Sequence, residues 1–198
     1  IRRQRQMCIR DSLGPVWNAR LSVRIGEEPS HTPGYSLLVG FNPDSGGRWN
    51  QEDSDRLYGY SDQPGATAQW TQEQLLADAE ARILSGEIDF SKLLKQKLRT
   101  FLGSDDACVG YSASVLRHTE FFSLLCNGFY YAAFLLATGG AVQVWRSRER
   151  GLLLLAPLYI LGLTLAQMLV EVAGRYHYSM IPMLLLLGQG TWKRTGEE

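Results

Sequence analysis

The hydrophobic positions change character near residue 120. Before it they are scattered among charges; after it they run together. Phe121 to Trp145 (FFSLLCNGFYYAAFLLATGGAVQVW) is a stretch of 25 residues with no charge. About 20 apolar residues suffice for a helix to cross a bilayer. Gly128, Gly139 and Gly140 lie inside the run, where membrane helices tolerate glycine. Gly151 to Val170 is again uncharged, with Pro157 inside it, and Tyr178 to Trp192 is a third, shorter stretch. Two successive long uncharged runs weigh against a soluble core domain. The pattern predicts a membrane α-helical protein with about three transmembrane helices, over residues 121–145, 151–171 and 177–192. The third is tilted, broken or truncated.

Ahead of these runs, residues 13–118 read as a small α+β segment. Leu21, Val23 and Ile25 alternate with Arg20, Ser22 and Arg24, a strand pattern over Ala19–Ile25. Tyr35–Phe41 (YSLLVGF) is a second strand candidate. Asn42–Gly47 (NPDSGG) is a tight loop. Thr71-Gln72-Glu73-Gln74 offers a capping box for a helix running to about Leu84, stopped by Ser85-Gly86. Residues 90–102 carry apolar side chains at 90, 93, 94, 98, 101 and 102, with Lys92, Lys95, Lys97 and Arg99 interleaved. That is a basic amphipathic helix, either a domain helix with a solvated face or a helix lying on the membrane surface.

Composition first looks uninformative: 20 basic and 20 acidic residues, and a mean hydropathy of -0.14. The first twelve residues change that. Arg2–Gln6 (RRQRQ) and Met7–Ser12 (MCIRDS) resemble a translated sequencing-library adaptor, so residues 1–12 are set aside as an artefact. The alternative is a basic arm for nucleic acid or anionic lipid. With the adaptor reading, no nucleic-acid partner is expected and the chain is a fragment of a longer protein. Without Arg2, Arg3, Arg5, Arg10 and Asp11, 16 basic residues face 19 acidic ones, a net charge of −3. Cys8 goes too, leaving Cys108 and Cys126. Their spacing is no metal pattern, and a bridge between them is disfavoured because Cys126 falls in a predicted span. Arg146, Arg148 and Arg150, then Lys193 and Arg194, place both loops in the cytoplasm by the positive-inside rule. Residues 13–118 are then extracytoplasmic, and residues 193–198 form a cytoplasmic tail.

Candidate chemistry is sparse. Asn42–Asp53 (NPDSGGRWNQED) imitates a calcium loop, but Gly46 offers no side-chain oxygen at position five and the last position lacks a glutamate. A structured loop with a surface carboxylate cluster is the better reading. Glu52, Asp53 and Asp55 offer oxygens to a sugar or divalent ion, with nothing in the spacing to fix either. Glu171 and Arg175 are four apart, so a continuing helix would stack them on one face at the outer end of the second run. Arg175 suits a phosphate. Tyr176 and His177 add aromatic and proton-handling capacity beside it. His31 and His118 are isolated and read as structural or solvated. No nucleophilic triad, phosphate loop, zinc pattern or dinucleotide fingerprint is present, and no metal or cofactor is assigned.

Leu37–Asp53 (LLVGFNPDSGGRWNQED), the stretches Ala79–Ile83 and Lys95–Phe101, and Glu171–Pro182 (EVAGRYHYSMIP) carry a resemblance. The chain resembles the C-terminal part of bacterial GT-C membrane glycosyltransferases, the group with protein O-mannosyltransferases and lipid A aminoarabinose transferases. The resemblance implies a multi-pass enzyme of the cytoplasmic membrane. It would move a sugar from a polyprenyl-phosphate donor to a protein or glycan acceptor outside that membrane. It also implies that the catalytic base lies in an upstream outer loop, so no residue here is catalytic and the fragment is inactive alone. Substrate contacts fall on Arg175 first, then Tyr176, with Glu171 and His177 nearby. Two other classes fit the pattern: a transporter or flippase component for lipid-linked sugars, and a membrane-anchored extracytoplasmic binding domain.

Overall fold

Polar side chains fix where the front helices begin. Each accepts a hydrogen bond from a backbone N–H that the first helical turn leaves unpaired. Asn50 accepts from Asp53 N, Thr67 from Trp70 N, and Asp89 from Lys92 N. The computed structural model describes residues 16–26, 32–147 and 154–192. The helices are α1 (residues 16–25), α2 (Gly34–Gly40), α3 (Gln51–Ser61), α4 (Ala68–Leu84), α5 (Phe90–Leu102), α6 (Ala107–Tyr111), α7 (Thr119–Ser147), α8 (Leu155–Leu169) and α9 (Ile181–Trp192). A 3-10 helix over Gly174–Met180 leads into α9.

The expected α+β segment is not there. Helix makes up 76% of the structure, with no strand among the described residues. Residues 19–25 belong to α1, because a strand needs a neighbour for its N–H and C=O groups whereas a helix pairs them internally. The apolar run Tyr35–Phe41 falls on α2, a largely buried helix, with Phe41 as its C-cap. Short apolar runs look alike in a buried strand and a buried helix. Here the run is bounded by Gly34 and Gly40, which lie against the backbones of α4 and of Val170. Leu38, Leu75 and Ala79 form the resulting core, with Tyr35, Leu57 and Tyr60 around it. Each fully buried leucine there contributes about 2 kcal/mol. The helix expected from Thr71 starts four residues earlier, at the Thr67 cap, and ends at Leu84 as read.

The count of about three transmembrane helices is corrected as well. Among the described residues, one helix, Thr119–Arg146, is long and apolar enough to cross a membrane. Only 17% of its most apolar stretch is buried, so its apolar side chains face outward. The second run yields a 15-residue α8 and the third a 12-residue α9. At 1.5 Å per residue these reach ~22 and ~18 Å, short of the ~30 Å hydrocarbon layer. Chain that the pattern gives to helix is spent on an extended link at 171–173 and on the 3-10 helix. The adaptor-like residues 1–12, Arg148 and Arg150 of the basic loop, and the 193–198 tail lie outside the described residues.

α9 packs along one stripe of α7. Tyr130, Ala133, Ala137, Gly140 and Val144 are the buried positions, spaced alternately three and four apart. Leu184 and Leu187 fill the facing side. Small residues in such a stripe let two helix backbones approach closely. A Cβ on Gly140 would lie 1.9 Å from the Leu187 carbonyl oxygen.

Front helices and bundle are joined by a buried cation. Lys97 was expected on the solvated face of α5. It is fully buried, and its Nζ donates to the carbonyls of Gly40 (3.0 Å), Met168 (2.8 Å) and Val170 (2.7 Å). Those are the C-terminal ends of α2 and α8, where carbonyls lack helical partners and the helix dipole favours a cation. Burial pulls the ammonium pKa down to about 8, so the group stays charged at neutral pH. Leu93, Lys97 and Phe101 recur every four residues along the buried face of α5.

Replacing Lys97 by Met keeps the stem and strands three carbonyls. Stability should fall by roughly 3 kcal/mol, read as a lower denaturant midpoint at unchanged slope. Gly140→Ala should cost about 1–3 kcal/mol by forcing α7 and α9 apart. Gly128→Ala, where a Cβ meets nothing within 4 Å, should leave the melting temperature of the detergent-solubilised chain unchanged.

Candidate functional site

The loop between α2 and α3 is shaped by one buried carboxylate. Asp53 is fully buried and takes a two-pronged ion pair from Arg82, with Nη2–Oδ1 at 2.7 Å and Nη1–Oδ2 at 3.2 Å. Arg82 also donates to the Leu38 carbonyl at 2.6 Å, tying α4 to α2. Asn42 Nδ2 and Asn50 Nδ2 donate to Asp53 Oδ2 at 2.9 and 2.7 Å. Asn42 Oδ1 accepts from the N–H groups of Asp44 and Ser45. Both ends of the 42–50 loop are thereby pinned to one point. Burial alone would raise the Asp53 carboxyl pKa. The hydrogen bonds from Arg82, Asn50 and Asn42 outweigh it and hold the pKa below the usual carboxylate value.

The loop then folds over Lys97. Gly47 has φ +75°, and a Cβ there would stand 3.0 Å from the Lys97 stem. Its carbonyl accepts from Val172 N at 2.8 Å, while Glu171 N donates to the Ser36 carbonyl at 2.9 Å. These bonds fix the extended 171–173 link against loop and α2. The opposite side is built by residues 104–111. Asp105 N donates to Asn127 Oδ1 of α7 at 2.7 Å, and Cys108 N donates to the Tyr178 hydroxyl at 3.0 Å.

Between these walls lies an open cleft of about 840 Å³, within the range of small-ligand sites. Arg48, Trp49 and Asp44 line it from the loop, Gln96, Arg99 and Thr100 from α5, Asp106 and Tyr111 from the α6 region, and Glu171 and Arg175 from the link and the 3-10 helix. Arg175 donates to the Tyr111 hydroxyl, and its guanidinium lies over the rings of Tyr111 (5.6 Å) and Tyr176 (5.1 Å). A guanidinium has five N–H donors, more than two tyrosine hydroxyls take up. Burial raises the Glu171 carboxyl pKa, and the nearby Arg175 charge offsets this only in part. Three arginines, three carboxylates and two exposed aromatic rings therefore face one space.

The structure brings Arg175 and Glu171 to this cleft, with Tyr176 beneath the guanidinium. The expected helical stacking of Glu171 on Arg175 does not form, because α8 ends at Leu169 and the link between them is extended. His177 points the other way. It is fully buried, its Nε2 lies 3.0 Å from Asp105 Oδ1, and its ring packs against Tyr130, Tyr178 and Phe101. Among the described residues its Nδ1 has no hydrogen-bond partner, and Asp105 is the polar contact of its Nε2. The surface carboxylates are occupied locally: Glu52 pairs with Arg56 at 3.0 Å and Asp55 accepts from Gln51 at 2.7 Å. A helix, not a strand, precedes the calcium-like loop, and its Asn42, Asn50 and Asp53 serve the Arg82 network. Among the described residues no three His, Cys, Asp or Glu side chains are grouped to hold a metal ion. His118 is exposed at the start of α7, and His31 lies outside the described residues.

Sequence reading missed Arg48, Trp49, Arg99 and Tyr111 as cleft residues. Arg48-Trp49 directly after a Gly-Gly turn was the available signal, since such a turn presents its following side chains outward. Comparison with known protein families, curated proteins and solved structures finds no match.

Asp53→Asn should destabilise the chain by about 3–5 kcal/mol, because Arg82 keeps its partly buried charge without a counter-charge. The wild-type pair has a definite pH signature. The Asp53 pKa is lower folded than unfolded (about 3.9), so its stabilisation is complete above that unfolded value and disappears as pH falls through the folded one. Urea midpoints at about pH 6 and about pH 3 should therefore differ less for Asp53→Asn than for wild type.

Proposed function

We propose that the chain is the C-terminal part of a membrane glycosyltransferase that draws its sugar from a polyprenyl-phosphate donor on the outer side of a bacterial cytoplasmic membrane. The observation that carries this reading is Arg175, held by two tyrosines at a cleft that also receives Arg48 and Arg99. Arginine forks match phosphate oxygens in two-point hydrogen bonds. Asp44, Asp106 and Glu171 offer acceptors to sugar hydroxyls, and Trp49 offers a flat apolar face to a pyranose ring. Gln96, Arg99 and Thr100 of α5 line the cleft, and the end of α5 is tied to α7 by Tyr130 and Tyr131, which donate to the carbonyls of Leu102 and Gly103. A lipid tail leaving the cleft would run along the exposed apolar side of α7. The segment before α7, which supplies most of the cleft, faces the extracytoplasmic side in this reading. The acceptor is a protein or glycan.

The test is direct binding. The full chain in nanodiscs should bind a polyprenyl monophosphate more tightly than the matching polyprenol, as measured by native mass spectrometry. Arg175→Ala should weaken binding roughly 10- to 100-fold, the worth of one charged hydrogen bond or a small group of them, with helicity unchanged. Equal binding of polyprenol and its phosphate, or an unaffected Arg175→Ala variant, overturns the reading.

A further inference from the structure

α5 is held in one rotational setting. Lys97 fixes it from within through Gly40, Met168 and Val170, with Leu93 and Phe101 one turn to either side. At 3.6 residues per turn that setting assigns the other positions to faces. Gln96, Arg99 and Thr100 lie on the side that lines the cleft. Phe90, Leu94 and Leu98, each four apart, form an apolar stripe on the opposite flank of the buried face, and they are 44%, 41% and 39% exposed. Lys95 borders this stripe three residues before Leu98, and Lys92 stands one step further round; both are exposed. Burying the stripe against α2 and α8 would require α5 to turn, which the Lys97 bonds prevent.

The depth of α5 is set separately, by α7. Trp145, near the far end of α7, is exposed, as an interfacial ring would be. A span of about 20 residues counted back from it begins near Cys126. Helical side chains lean toward the N-terminus, so the hydroxyls of Tyr130 and Tyr131 stand at the edge of that span. These hydroxyls hold the carbonyls of Leu102 and Gly103, the end of α5.

We propose that α5 is a membrane-surface helix, docked on an anionic leaflet where α7 enters the bilayer. Phe90, Leu94 and Leu98 enter the headgroup region, and Lys92 and Lys95 meet lipid phosphates with their stems along the apolar boundary. The charges favour this occupant over a second copy of the chain, since a two-fold contact through the stripe would set the same lysines against each other. The cleft side of α5 then faces away from the lipid. The proposal rests on α7 crossing a bilayer and not on the glycosyl-donor reading.

The test is nitroxide accessibility in the full chain in nanodiscs, with Cys8→Ser, Cys108→Ser and Cys126→Ser as background. Single labels are placed through Leu94→Cys, Leu98→Cys and Gln96→Cys. In nanodiscs containing phosphatidylglycerol, Leu94 and Leu98 should collide more with oxygen than with a water-soluble nickel chelate, and Gln96 the reverse. Replacing phosphatidylglycerol by phosphatidylcholine, or introducing Lys92→Gln with Lys95→Gln, should raise nickel access at Leu94. A label through Leu135→Cys, on the exposed side of α7, separates the two parts of the argument. Oxygen-rich collisions at Leu135 with nickel-rich collisions at Leu94 overturn the docking of α5 while α7 still spans. Nickel-rich collisions at both overturn the two together. Exclusion of both reagents from Leu94, the mark of a protein cover, or indifference to lipid charge also overturns the proposal.

Discussion

An ammonium group surrounded by three carbonyls is the point at which this molecule is joined. α2, α5 and α8 approach one another end to face, an arrangement that would strand the terminal carbonyls of two helices. Lys97 supplies three donors from a third helix and satisfies both ends at once. Its four-carbon stem lies beneath Gly47, so the loop that forms one cleft wall rests on the same side chain. Removing a charge from water is costly, and helix ends repay it better than neutral groups do. The cleft is thus a consequence of how two helix termini are closed.

A second polar centre divides the work. Asp53 and Arg82 make no contact with the cleft, yet they fix the turn from which Arg48 and Trp49 project. His177 and Asp105 act alike on the opposite side, buried among aromatic rings. Each wall therefore has a buried ionisable pair behind it and exposed arginines in front. This separation leaves the front residues free to meet a ligand while the pairs behind resist distortion.

Charge and period made some of this readable in advance. The limits of α5 followed from apolar residues three and four apart, and the long uncharged run marked α7. Lys97 was grouped with the interleaved basic residues, although it stands midway between Leu93 and Phe101 on the buried side. The two predicted strands failed for a specific reason. Seven-residue apolar or alternating segments do not carry enough period to separate strand from helix, and Gly40 was read as part of the second strand candidate. The spans were overcounted because absence of charge says nothing about where a helix begins or what kind it is: α8 covers only Leu155–Leu169 of the second run, and a 3-10 helix over Gly174–Met180 takes up the start of the third. Arg175 and Glu171 were found because they interrupt an apolar region. Trp49 and Tyr111 reach the cleft through tertiary packing, to which local pattern is blind.

The Lys97 contacts also impose an order of assembly. Synthesis delivers Gly40 before Lys97, but the other two acceptors follow Lys97 by 71 and 73 residues. Until α7 and α8 have been made, the front helices carry a cation in an unfinished apolar setting, which favours leaving it in water. Closing so long a loop is entropically slow compared with forming the helices themselves. The α2–α4 unit with its Asp53–Arg82 pair can form early, whereas the cleft comes last, since its two sides meet only when the final third of the chain arrives.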